Sequence, residues 1–187
     1  MKIFTISICL CLSCITFNTK AFNYTDLKKA LHLSDLNEYA QETTKENRDL
    51  SQYDLSEARL TKSNLTGADL SGANLTSAVL TQANLSEANL IDALLIKTRL
   101  EVAKLSKTIL IGAILSEANL ILADLSETKL IGANLRGANL SNADLTGADL
   151  TGADLTEAIL TGTILINASG LTDEQKTYAR LRGAIFE

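Results

Sequence analysis

From Leu50 to Leu165 a leucine recurs at every fifth position without a miss, and the residue two places before it is Ala, Thr or Ser in 22 of the 24 repeats. The exceptions are Arg48 and Tyr53, at the entry. A period of five fits neither regular element. On an α-helix, five residues advance about 500°, so the leucines wander round the axis. On a continuous strand an odd period sends successive leucines to opposite faces. The period works if each repeat is a short extended piece followed by a two-residue corner. With each Leu as position i, the residues at i−2 and i then share one inward face, and the corner at i+1 and i+2 restores the phase. All eight glycines of the repeat region, Gly67, Gly72, Gly112, Gly132, Gly137, Gly147, Gly152 and Gly162, fall at i+2. That is where a tight corner asks for positive φ.

A run such as Ala143-Asp144-Leu145-Thr146-Gly147-Ala148-Asp149-Leu150-Thr151-Gly152 resembles the pentapeptide-repeat family, and the resemblance covers residues 49 to 166. It implies an all-β solenoid, a right-handed quadrilateral β-helix with four repeats per turn and short helical caps. With coils about 4.8 Å apart, the repeats make a rod roughly 29 Å long. The expected organisation is a signal peptide over 1–21, an N-terminal helical cap and linker over 22–47, the repeats over 48–167 and a C-terminal capping helix over 168–187.

Open stacks expose apolar core and unpaired backbone at each end, so both flanks are read as caps. Gly170 stands where the next Leu is due. The segment after it opens a helix with Thr172 as N-cap and Gln175 reaching back, and Tyr178, Leu181 and Ile185 form its expected apolar face. The Gly-Leu-Thr-x-Glu-Gln ending is similar to one that recurs in the family. At the other end, Leu27, Ala30, Leu31 and Leu36 follow a broadly helical pattern.

Composition changes the picture in two ways. Aromatics are only 4% of the chain and there is no Trp or Pro, which suits a narrow, repetitive interior. The apolar run from Ile3 to Ile15 behind Lys2 is too short to span a bilayer and reads as a secretory signal, with a cut expected after Ala21. Cys9, Cys11 and Cys14 all lie within it, so the mature chain would carry no thiol. Cys14 also faintly resembles a lipoprotein acylation site. Removing Lys2 and Lys20 leaves 15 of the 17 basic residues against 22 acidic ones, a charge of −7, which disfavours nucleic acid and anionic lipid.

Candidate chemistry is sparse. His32 is the one histidine and reads as a surface residue. Asp144, Asp149 and Asp154 fall on three consecutive sides of the coil and radiate apart, whereas catalytic carboxylates must converge. The glycines are corners at fixed period, not a phosphate loop. No cofactor is expected. The family resemblance raises DNA mimicry towards gyrase, which needs continuous acidic columns. The column Asp49, Asp69, Asn89, Ile109, Lys129, Asp149 is broken in the middle. The Thr column of an ice-binding face is likewise interrupted by Glu101 and Ile121.

The expected function is therefore a non-enzymatic, exported binding or scaffold protein, periplasmic or secreted. Its partner would be another protein or a second copy, without nucleic acid and without a transmembrane anchor after cleavage. The candidate partner-binding patch is Ile91, Ile111 and Ile131 in one outward column with Leu94 and Ile114 in the next, where polar residues are the rule.

Overall fold

A computed structural model describes residues 49–187. The assignments over residues 1 to 48, including the signal, the N-terminal cap, Cys14 and His32, lie outside the described residues.

The chain winds into stacked coils. The residue before each Leu forms a parallel bridge with the residue 20 places on, giving four ladders. The first runs from Asp49 through Asn89 and Lys129 to Ser169, and the second from Asp54 through Leu94 and Ile114 to Asp154. The third runs from Arg59 through Arg99 to Ile159, and the fourth from Asn64 through Lys104 to Ile164, ending on Ile185. Four repeats therefore complete one coil of this β-helix. The leucines and small residues stack inside, and Leu125 in the middle coils is 0% exposed.

The backbone accounts for its donors almost completely. The N–H groups of the Leu and of the residue two places on donate to carbonyls of the next coil, as Leu100 does to Asn119 at 2.7 Å and Val102 to Ile121 at 2.9 Å. The ladder residue's N–H donates to the coil before, as Asn119 does to Thr98 at 2.9 Å. The i+3 N–H closes the corner onto the Leu carbonyl, as in Ala103 to Leu100 at 3.1 Å. The residue at i+2 has positive φ whether or not it is glycine, from Gln52 at 60° to Asn167 at 57°. That is the pattern of a type II turn.

The remaining N–H, at i+1, explains a preference that the repeat pattern left as mere polarity. Wherever the ladder residue is Asp or Asn, its Oδ1 accepts the i+1 N–H, as Asp144 does from Thr146 at 2.9 Å and Asn74 from Thr76 at 3.1 Å. The Asx side chain caps the corner of its own repeat.

Four buried threonines replace Ala inside the stack. Thr98, Thr108 and Thr163 donate to the carbonyls of Leu75, Leu85 and Leu140 in the coil before, and Thr128 to Leu125 of its own coil. Ser63, also buried, has no partner for its hydroxyl among the described residues. The two cases predict opposite signs. Ser63→Ala should stabilise by about 1 kcal/mol, because it removes an unsatisfied buried group, whereas Thr98→Val should cost about 1 kcal/mol by removing the hydroxyl's bond to the Leu75 carbonyl, which is then left with the Ala78 N–H alone. Urea melts of the two variants check the pair.

At the C-terminal end α1, Asp173–Leu181, lies over the last coil. Thr172 accepts from the Gln175 N–H and donates its own N–H to Gln175 Oε1, completing a capping box. The expected apolar face needs correction. Ala179 and Leu171 are the buried residues here, while Leu181 is 82% exposed. The helix is only nine residues long, and its last position points away from the coil. Ile185 lies beyond it, where the chain returns to pair with Ile164 and donates to Thr163 at 2.8 Å.

Candidate interaction surface

The outward face of the rod consists of the four ladders and the corner residues between them. The structure brings the sequence-selected patch together. Asp92 donates to Ile111 O and Gly112 to Ile131 O, which stacks Ile91, Ile111 and Ile131 on the corner after the first ladder. Leu94 pairs with Ile114 in the second ladder, immediately beside them. All five side chains are half-buried, each shielded by neighbours in its column.

The more exposed aliphatics lie elsewhere. Val102 is 46% and Leu122 56% exposed, one above the other at i+2 on the corner between the third and fourth ladders. The signal lies in the i+2 series Gln82, Val102, Leu122, Asn142, Gly162, where two aliphatics stand among polar residues and glycine. Both residues hold positive φ, 59° at Val102 and 58° at Leu122. For the β-branched Val102 this backbone is a real outlier. Val102→Asn should therefore raise stability by about 1 kcal/mol, since Asn tolerates the left-handed region and the backbone bond to Ile121 is kept. Thermal melts of the variant against wild type measure the gain.

Several charged side chains satisfy one another or their own corners. Lys97 faces Glu117 at 3.5 Å and Arg136 faces Glu157 at 3.0 Å, both across exposed columns. The Thr151 hydroxyl and N–H hold the Asp149 carboxyl below the usual carboxylate range, and Thr156 does the same for Asp154. At Glu101 burial opposes ionisation, but the residue's own backbone, the Thr81 hydroxyl and Arg99 together outweigh it and lower the pKa. Asp144, Asp149 and Asp154 belong to three different ladders, and each is engaged by its own corner. Among the described residues, no group of three His, Cys, Asp and Glu side chains could hold a metal ion.

The sequence profile of pentapeptide repeats matches residues 49–82, 83–120 and 123–162, in 8 copies. The break between the last two stretches falls on Ile121 and Leu122, the apolar corner just described. No curated protein sequence matches the chain. Among solved structures, it is similar to the pentapeptide repeat protein Rfr23 from the cyanobacterium Cyanothece 51142, at 27% identity over 81% of this chain and 97% of that one, with a TM-score of 0.43. HetL, involved in heterocyst differentiation regulation in Nostoc sp. strain PCC 7120, is 36% identical over 64% of this chain and 58% of its own, with a TM-score of 0.26. QnrB1, a plasmid-mediated fluoroquinolone resistance protein, is 26% identical over 72% of this chain and 77% of its own, with a TM-score of 0.43.

Proposed function

The chain belongs to the pentapeptide-repeat family, and from that membership we propose that it is a non-enzymatic binding module: a right-handed, four-sided rod, exported through its N-terminal signal, that presents an apolar strip to a protein partner or a second copy. The observation that carries this reading is a broken local rule. In the second ladder Asp54, Asn74, Asn134 and Asp154 each cap their own corner, whereas Leu94 and Ile114 on two consecutive coils forgo that bond, as do eight residues of the other ladders, Ile109 and Lys129 among them. A capping bond of this kind is worth about 0.5–1.5 kcal/mol. Giving it up twice, directly beside the Ile91, Ile111 and Ile131 stack, is what a surface kept apolar for contact requires.

DNA mimicry finds little support in the charge distribution. The first ladder interrupts its carboxylates with Asn89, Ile109 and Lys129, so no acidic stripe runs along it. Export rests on the short apolar run behind Lys2. Amino-terminal sequencing of the protein from its native host should begin near Phe22, or at an acylated Cys14.

The test is the double variant Leu94→Asn with Ile114→Asn, which restores the missing caps. Stability should rise by about 1 kcal/mol, while self-association in sedimentation, or capture of the wild type's partner from a periplasmic extract, should be lost. A fall in stability with association unchanged would mean that the aliphatics serve packing within the ladder alone.

A further inference from the structure

The last coil treats its backbone donors and acceptors differently. In the coil below, Leu135 donates to Asp154 O and Gly137 to Thr156 O, both at 2.9 Å. One coil further on no strand follows over this side, because the chain has turned into α1. The outward carbonyl there is still covered, since Gln175 Nε2 donates to Ala153 O at 2.8 Å, and on the next side the Tyr178 hydroxyl donates to Ala158 O at 3.2 Å. The donors are not. The N–H groups of Leu155 and Glu157 have no acceptor among the described residues, although Leu155 is only 4% exposed. On each of the other three sides of this coil at least one of the two equivalent donors is paired, through Leu150 to Ser169, Gly162 to Gly183 and Leu165 to Ile185.

A groove of about 420 Å³ lies along this edge, lined by residues 154–157 of the coil and by Thr172, Glu174, Gln175 and Tyr178 of the cap. That volume is within the range of ligand clefts. Its charge is one-sided. Asp154, Glu157 and Glu174 line it, and the nearby cation Arg136 is already paired with Glu157. A carboxylate or phosphate would meet three carboxylates, so the acceptors that suit these N–H groups are neutral carbonyls carried by a cationic molecule. Carbonyls two residues apart on an extended chain are what every lower coil receives at this place.

We propose that this edge receives an extended, Lys- or Arg-bearing peptide segment of a partner protein, which adds as the missing strand of the last coil and accepts hydrogen bonds from the Leu155 and Glu157 N–H groups. An unpaired edge recruits strands through its backbone and selects them through the side chains that flank it. Because the Ala153 carbonyl of this edge is already filled by Gln175, the site asks carbonyls of its ligand and no N–H groups. The proposal does not depend on the Leu94 and Ile114 strip, which lies lower in the same ladder.

The full chain would be titrated, with amide resonances observed by NMR, against an acetylated and amidated peptide of alternating Lys and Val, and separately against spermidine. The peptide should move the Leu155 and Glu157 resonances and slow their exchange about tenfold or more. Spermidine, cationic but without a carbonyl, should leave both unmoved. Glu174→Lys, on the exposed first turn of α1, should weaken peptide binding about tenfold with the melt retained, whereas Leu94→Asn with Ile114→Asn should leave it unchanged. Three results would overturn the proposal. Equal response to both cations with the two amides silent reduces the groove to an acidic surface. Amide shifts that follow protein concentration without peptide make a second copy the occupant. Slow exchange at both amides in the free chain means the edge is already closed and takes no strand.

Discussion

Leu125→Asp is expected to unfold the repeat stack. Leu125 is fully buried, in an interior built from the leucines of every repeat. The substitution removes an apolar side chain worth about 2 kcal/mol of burial and leaves a carboxylate without any cation in reach, a combined loss above about 5 kcal/mol. Few domains tolerate that. In a stack where each coil contacts only its neighbours, the defect also uncouples the coils on either side, so cooperativity should fall along with stability. Circular dichroism melts and limited proteolysis would show it. Asp124→Asn, one residue away and outward, is the control. Its amide oxygen can still accept from the Ser126 N–H, as the carboxylate does at 3.0 Å, and its melt should match wild type.

Gly170→Ala is expected to detach the C-terminal cap. Gly170 stands where the repeat pattern would place its next Leu, and its φ is +80°. A methyl group there would overlap the backbone nitrogen and Cα of Thr151, not a side chain that could swing away. Relief requires moving the chain just beyond Ser169, whose carbonyl accepts from Leu150 at 2.9 Å and whose N–H donates to Ala148 at 2.9 Å. A cost of about 2–4 kcal/mol follows from strain and clash together. It should be local. Hydrogen exchange would quicken in α1 and at Gly162 and Leu165, which bond to Gly183 and Ile185, while the middle coils keep their protection. Uniform loss of protection through Leu125 would show instead that the cap and the rod unfold as one unit.

Much of this protein was legible from its period. A five-residue repeat with Leu and Ala two apart can bury its apolar set only as an extended piece plus a corner, so the inward positions, the corners and the capping box at Thr172 followed from sequence. The patch was legible too, as stacked columns, since position in such a coil is a matter of counting. What counting missed was accessibility and satisfaction. The five patch aliphatics are half-covered by their own columns, and Val102 and Leu122 stand out further at i+2, the positive-φ position of the corner. Leu181 looked like a core residue of α1 by helical spacing, but a nine-residue helix meeting the coil through Ala179 leaves its last position in solvent.

The sequence by itself thus determined the repeat unit, its inward face and the capped C-terminal end, because those depend on periodicity and on which residues can be buried. Only the tertiary structure decided which hydrogen bonds each residue completes. The Asx side chains proved to be corner caps, the Leu94 and Ile114 positions proved to lack them, and the Leu155 and Glu157 donors have no acceptor among the described residues where α1 replaces a strand. Those outcomes depend on what lies 20 residues away along the chain and one coil away in space, and no local pattern specifies that neighbour's geometry.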